Sequence, residues 1–185
     1  MSFFKLLGDY GIKLFFFFAK GARIDAALQK GTRIRTRTMN DFPKPDAEVI
    51  VVNGQTVYNA EDILMGWRIE TQGNLILKNN SKNHAYNIIL LNAKEIFDEI
   101  QPLKKLTSLA PNETIEIPIK FIQGCHADSG LVADKLPDIP KDKENKILNI
   151  QYENESGTKL LTRFFISFTQ IYNEYTYSKS KNKKS

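Results

Sequence analysis

Apolar and polar residues alternate along several stretches of the chain, and this pattern predicts a mainly β protein. Between Gly73 and Asn92, two apolar runs are separated by the polar segment 79–83. Alternation is typical of strands because successive side chains point to opposite faces, and asparagine is typical of turns. We therefore predict a β-hairpin here. The second run, 84–92, is apolar on both faces and is predicted to be a central strand.

Two further hairpins are predicted by turn residues between alternating runs. Asn53-Gly54 divides the β-branched segment 48–58, and this dipeptide favours a type I′ turn. Segment 154–157 separates the runs 146–153 and 158–168, whose apolar positions can face each other across a strand pair.

Four other stretches differ from one another in the structure that they predict. A strand is predicted over 114–122, where Pro118 indicates a sheet edge or a bulge because proline cannot donate to a ladder. Segment 94–100 fits either a helix or a strand, 59–64 fits a single helical turn, and 123–145 reads as one long loop.

The inward-facing positions of these strands predict one core. A core or interface anchor is also the expected role of Trp67, the only tryptophan. The predicted core residues are Leu75, Leu77, Ile88, Leu90, Ile117, Ile150, Phe164 and Ile166.

Residues 3–19 follow a helical period instead. Lys5, Asp9, Lys13 and Lys20 fall in one narrow stripe of a helix, and most of the remaining surface is Phe, Leu and Ile. We predict an amphipathic helix that continues as far as Gly31, a plausible C-cap. The apolar residues expected to contact a membrane or partner are Phe3, Leu7, Leu14, Phe15, Phe17 and Phe18.

This helix is not expected to span a bilayer. Its charges cost about as much at central depth as its apolar residues gain, and the uninterrupted apolar run 14–19 is far shorter than the approximately 20 residues of a span. Asp9 and Lys13 also argue against a cleaved signal peptide. Three interpretations remain: the helix lies in a membrane interface, docks on a partner chain, or packs on its own domain.

Five basic residues form a candidate surface for anions or lipid headgroups. Segment 32–38 is predicted to be a strand with its three arginines on one face. The alternative is a solvated edge strand protected by charge, which we favour because no aromatic residues are interleaved. The candidate residues are Lys20, Arg23, Arg33, Arg35 and Arg37.

Composition limits the class of protein. The chain has 185 residues with 42% hydrophobic content, enough for one sizeable core. Its net charge of +5 is unevenly distributed, because residues 1–38 carry eight Lys/Arg and two Asp while the last seven residues carry four Lys. The single Cys125 allows no intrachain disulfide. We expect a cytoplasmic or membrane-surface location rather than secretion.

No motif in the sequence carries recognisable chemistry. Cys125-His126 with Asp128 resembles part of a metal or nucleophile site, but the only other histidine is His84. We therefore expect no enzyme activity, catalytic residue, metal site, cofactor or small-molecule substrate.

From Trp67 onward the chain carries, in order, LILKNNSKNHAYNI, SLAPNETIEIPIKF and ILNIQYENESGTKLLTRFF. This run resembles the small immunoglobulin-like β-sandwich domains of many bacterial proteins, which often follow an N-terminal membrane segment. The resemblance implies an antiparallel sandwich of about seven strands without catalytic residues. The expected division is a helical extension (1–31), a basic strand with linker and hairpin (32–66), the sandwich (67–172) and a basic disordered tail (173–185).

These expectations lead to two functional hypotheses. The first is an interaction or assembly module attached to a membrane surface through its N-terminal helix. The second is a structural subunit whose helix docks into a neighbouring chain. The expected partners are a protein, a second copy of the chain or an anionic membrane surface, and nucleic acid is not expected.

Overall fold

The computed structural model describes residues 21–103 and 107–177, which form antiparallel β-sheets with little helix. The helix predicted over 3–19 lies outside these residues. The strands are β1 (Ile24–Arg37), β2 (Phe42–Pro43), β3 (Ile50–Val52), β4 (Gln55–Val57), β5 (Ile63–Asn79), β6 (Tyr86–Leu90), β7 (Glu99–Ile100), β8 (Thr114–Ala127), β9 (Ile147–Glu153), β10 (Lys159–Phe165) and β11 (Asn173–Tyr177). The short helices are a 3-10 turn (Ala60–Asp62), α1 (Ala93–Ile96) and α2 (Gly130–Ala133).

Two sheets enclose the core. The first has the strand order β1-β5-β8-β7, with β2 also pairing with β5, and the second has the order β11-β10-β9-β6. Leu75 and Ile117 of the first sheet belong to the same buried cluster as Leu148 and Phe164 of the second. The two sheets therefore pack face to face as a β-sandwich.

Side chains of the second sheet bind the outer edge of β1. The amide of Asn173 accepts a hydrogen bond from Ala26 N (3.1 Å) and donates one to Ala26 O (3.0 Å), much as a neighbouring strand would. The hydroxyl of the fully buried Thr162 donates to Ile24 O at 2.8 Å. This edge therefore joins the two sheets.

Several sequence predictions are confirmed. Asn53 and Gly54 turn β3 into β4 with φ angles of 52° and 77°, and β9 pairs with β10 across the segment 154–157. Seven of the eight predicted core residues are buried, and Leu90 is half-buried against them. The predicted turn near residue 60 is the 3-10 turn.

The predicted hairpin over 73–92 is wrong. β5 pairs with β1 and β8, whereas β6 pairs with β9 in the other sheet and lies at its edge, so it is not a central strand. The fully buried Asn79 explains the change of sheet: its Nδ2 donates to Asn83 O (2.7 Å) and Leu109 O (3.0 Å). These bonds hold the segment 80–85 as a crossing rather than a hairpin turn.

The predicted continuation of a helix to Gly31 is also wrong, because this segment belongs to β1. Ile24 and Ala26 are buried in alternation with half-buried neighbours and pair with β5. Gly31 is not a C-cap but lies at an irregularity in this pairing, where an added Cβ would be 3.0 Å from Gln72 O. β1 therefore runs across the expected domain boundary at residue 31.

Two other stretches differ from expectation. The tail predicted to be disordered from residue 173 begins with β11, which pairs with β10, and residues beyond 177 lie outside the description. The long loop predicted over 123–145 begins only after β8, which extends to Ala127, and contains α2. Segment 94–100 contains the end of α1 and then β7, so the helix and the strand that were both considered for it are each present in part.

Pro118 does not mark a sheet edge or a bulge, as the sequence predicted, because β8 lies between β5 and β7 and pairs with β5 in continuous register. Pro118 stands opposite Asn74 of β5, and its carbonyl oxygen accepts a hydrogen bond from Gln101 N (3.0 Å) on the opposite side. Because the N–H and C=O groups of a strand residue point to the same side, the missing N–H of Pro118 faces away from β5. The ladder with β5 therefore loses no donor.

The two neighbouring isoleucines of β6 provide a matched test of the core. Ile88 is 4% exposed and Ile89 is 48% exposed. We expect Ile88→Ala to lower the free energy of unfolding by about 2 to 5 kcal/mol and Ile89→Ala by less than about 1 kcal/mol, measured by urea denaturation. Equal losses in the two variants would contradict the placement of β6.

A pair of truncations tests where the domain begins. Removing residues 1–31 deletes half of β1, including the buried Ile24 and Ala26, whereas removing 1–20 leaves β1 complete. We expect the longer truncation to have a far lower melting temperature than the shorter one, by circular dichroism, since it exposes both sheets' core. Similar melting temperatures would show that β1 is dispensable.

Candidate interaction surfaces

The most exposed apolar segment of the described chain is the β3–β4 arm, defined as residues 49–58. Its two strands pair with each other and with no other strand of the description. Its exposed valines lie on both faces of the hairpin rather than on one. They are Val49 (58% exposed), Val51 (67%), Val52 (50%) and Val57 (44%). A segment with this much exposed apolar surface is a candidate association site.

The arm has acidic flanks. Asp46 and Glu48 precede it, Glu61 and Asp62 follow it, and no lysine or arginine occurs from residue 45 to 67. The nearest cation, Lys44, is paired with Asp128 at 3.1 Å. Segment 45–67 therefore carries four acidic residues and no basic residue, on a chain of net positive charge.

Two further apolar side chains are exposed near the base of the arm. Met39 is fully exposed, and Phe42 is 59% exposed, with its ring edge-on to His126 at a centroid distance of 5.0 Å. Phe42 pairs with Leu64 of β5, so its ring lies where the chain leaves the first sheet for the arm.

The arginine stripe (Arg33, Arg35 and Arg37) shares one face of β1, as predicted, and β1 is an edge strand. Each arginine has a carboxylate partner in the chain: Arg33 with Asp138 (3.2 Å), Arg35 with Asp134 and Arg37 with Asp41 (2.6 Å). All three arginines are therefore already neutralised by carboxylates of the chain.

Arg33 also donates hydrogen bonds to backbone carbonyl groups of the loop that follows β8. Its Nη1 donates to Leu136 O (2.8 Å) and its Nη2 to Ala133 O (3.2 Å). Lys30 also contacts Asp138, at 2.5 Å. Arg33, Arg35 and Lys30 thus hold segment 133–138 against the first sheet. The sequence did not reveal this structural role because the partners are about 100 residues distant.

Trp67 lies inside β5, half-buried beneath two arginines of this stripe. The guanidinium carbons of Arg35 and Arg37 stand 5.4 and 5.8 Å from its ring centroid, within the range of cation–π attraction. Neighbouring Cys125, its partner on β8, is half-buried, and burial raises the pKa of the thiol. This thiol is therefore not activated as a nucleophile.

Arg23 lies at the opposite end of β1, in a cluster with Asp25, Asn80 and Tyr175. Its Nε donates to Asp25 (3.2 Å), its guanidinium stacks on the Tyr175 ring (4.9 Å), and Tyr175 donates a hydrogen bond to Asp25. Burial alone would raise the pKa of Asp25, but hydrogen bonds from Tyr175, Arg23 and Asn80 outweigh it and hold the pKa below its usual value.

The apolar candidates of residues 1–20 and Lys20 lie outside the described residues. Of the predicted contacts, the structure therefore places only Arg23 and the arginine stripe, which lie at different ends of β1. Within the described residues, no group of three or more His, Cys, Asp or Glu is arranged to hold a metal. No helix of the described part of the chain has the length and apolar character needed to cross a membrane.

Sequence reasoning found the hairpin of the arm but not its exposure. The sequence signal of exposure was present, because segment 49–52 is apolar at four successive positions and so has no polar face to turn to solvent.

A scan against protein-family models, a search of curated proteins and a search of solved structures each found no match.

Substitution of Asp25 tests the cluster through its pH dependence. A carboxyl whose pKa is lowered by folding adds stability above its unfolded pKa, near 4, and loses it as the pH falls through the folded pKa. We expect Asp25→Asn to reduce the free energy of unfolding at pH 7 and to approach the wild type below about pH 4. The exposed Asp46→Asn is the matched control, and a pH-independent difference for Asp25→Asn would contradict the assignment.

Proposed function

We propose that this chain is a non-catalytic interaction or assembly module that residues 1–20 attach to a membrane surface. The observation that carries the proposal is the β3–β4 arm, whose valines are exposed on both faces of a hairpin. Leaving this apolar area in water is costly unless a partner covers it.

We also propose that the sandwich is immunoglobulin-like. The supporting observation is the strand order: β1, β5, β8 and β7 correspond to strands A, B, E and D, and β10, β9 and β6 to G, F and C. Two additions distinguish the chain from the plain constant-type pattern. The segment with β2, β3 and β4 is inserted between the first two strands, and β11 pairs beyond β10.

The layout of β1 supports the combination of membrane attachment and partner binding. Residues 1–20 precede Ala22, which is buried where β1 begins, and the arm follows where β1 ends. The 14 residues of β1 span roughly 45 Å at about 3.3 Å per residue. A module attached through residues 1–20 would therefore present its arm away from the membrane.

The N-terminal segment provides the attachment chemistry. It combines the apolar Leu14, Phe15, Phe17 and Phe18 with Lys5, Lys13 and Lys20 against one Asp9. Apolar insertion and attraction of lysines to anionic headgroups add to each other at a membrane surface. The subunit hypothesis uses the same apolar residues against a neighbouring chain, so an experiment must separate lipid from protein.

Flotation of the full chain with liposomes separates the two. We expect binding to vesicles containing phosphatidylserine, loss of binding as salt rises from low to high ionic strength, and loss of binding in Phe15→Glu with Phe18→Glu. The control pair Ser156→Glu with Gln170→Glu adds the same charge at exposed sites of the sandwich and should float like the wild type.

The competing outcomes are distinct. Salt-insensitive oligomers without lipid binding would replace the membrane proposal with the subunit hypothesis. A large fall in the melting temperature of the Phe15→Glu, Phe18→Glu variant would show that these residues pack on their own domain and would overturn both.

A further inference from the structure

The outer edge of β3 pairs with no strand among the residues that the structure describes, and it can therefore accept one. Because the two-residue turn closes with Val52 and Gln55 as a hydrogen-bonded pair, the backbone groups of Val51 point outward, away from β4. The strand β3 consists of three β-branched residues, and segment 47–52 contains no lysine, proline or glycine. Proteins usually protect an exposed edge with such residues, and this edge lacks them.

The apolar side chains of the hairpin are also exposed. Val49 and Val51 are exposed on one face, and Val52 and Val57 are exposed on the other. A two-stranded hairpin without a packed face is marginal in water, whereas a third strand adds both hydrogen bonds and apolar burial.

Charge indicates which strand would fit. Asp46 and Glu48 flank the start of β3, and Glu61 and Asp62 lie beyond β4, with no intervening cation. Like charges across a strand pair are unfavourable and opposite charges are favourable. The fitting segment is therefore apolar in its centre and basic at its ends.

We propose that the outer edge of β3 binds an extended segment of another protein by strand addition, and that this segment is apolar and β-branched with flanking lysines or arginines. The inference rests on the proposed function as an interaction module and identifies the partner of its arm. Backbone hydrogen bonds to Val51 supply the pairing, the valines supply apolar contact, and the acidic flanks select the charge.

Segments of this chain fit less well. A second copy would bring its own four acidic flanking residues against those of the first. The C-terminal residues 179–185 are basic but contain no apolar side chain. Residues 1–20, of the same chain or of a second copy, carry the apolar run 14–18, which contains no β-branched residue.

The test measures fluorescence anisotropy of labelled peptides with the full chain. The probe is KKTVTVTKK, and the controls are its charge-reversed form EETVTVTEE and its proline form KKTPTPTKK. We expect the first to bind about tenfold or more tightly than either control, since like charges and lost backbone donors each oppose pairing. The affinity should also fall with salt.

Two matched proline variants locate the edge. Val51→Pro removes an outward N–H of β3 and should weaken binding about tenfold or more, because a lost hydrogen bond and a blocked edge both act. Thr56→Pro makes the same change on the outer edge of β4 and should bind like the wild type. Glu48→Lys should weaken KKTVTVTKK and strengthen EETVTVTEE. Unchanged melting temperatures would show that all three variants are folded.

Several results would overturn the proposal. They are equal binding of all three peptides, absence of binding, or equal effects of Val51→Pro and Thr56→Pro. Concentration-dependent dimers in analytical ultracentrifugation that Val51→Pro abolishes would assign the edge to a second copy instead. Flotation depends on residues 1–20 and not on the arm, so a failed peptide test with normal flotation refutes the arm alone, and the reverse result refutes membrane attachment alone.

Discussion

The buried amide of Asn79 fixes the connection on which the two-sheet arrangement depends. The side-chain amide of Asn79 donates to Asn83 O and Leu109 O. The backbone N–H of the same residue donates to Glu113 O, and its backbone carbonyl accepts from Asn112 N, both at 2.9 Å. A buried amide without partners would cost several times what a single hydrogen bond contributes. These bonds hold the chain where it leaves β5 for the second sheet, in which β6 joins β9.

A second set of buried polar groups closes the other side of the sandwich. Thr162 and Asn173 of the second sheet satisfy backbone groups of β1, so that the outer edge of β1 is not left open at its beginning. The Asp25 cluster adds charge-assisted bonds at the same seam. Apolar burial supplies the free energy of the fold, whereas these polar contacts determine which edges meet, since hydrogen bonds are directional and burial is not.

The charges of the molecule divide between structure and recognition. Lys30, Arg33 and Arg35 hold the loop after β8 against the first sheet, and Arg37 is paired with Asp41. The acidic flanks of the arm are mostly free of such ion pairs within the described residues, and the valines between them are exposed. The same fold thus neutralises the arginine stripe and leaves the apolar arm with its acidic flanks exposed.

The sequence determined features that depend on a few neighbouring residues. Asn53-Gly54 specified a turn because its backbone conformation suits these residues, alternation identified the buried face of β8, and the β9–β10 hairpin followed from both signals. The tertiary structure alone decided which strands pair, because pairing joins residues that are distant in sequence. Segment 22–31 contains helix-favouring alanines, yet most of it is a strand because β5 and Asn173 supply partners for its backbone hydrogen bonds. Exposure of the arm and pairing of Arg33 and Arg35 were likewise decided by the tertiary structure, which local patterns do not encode.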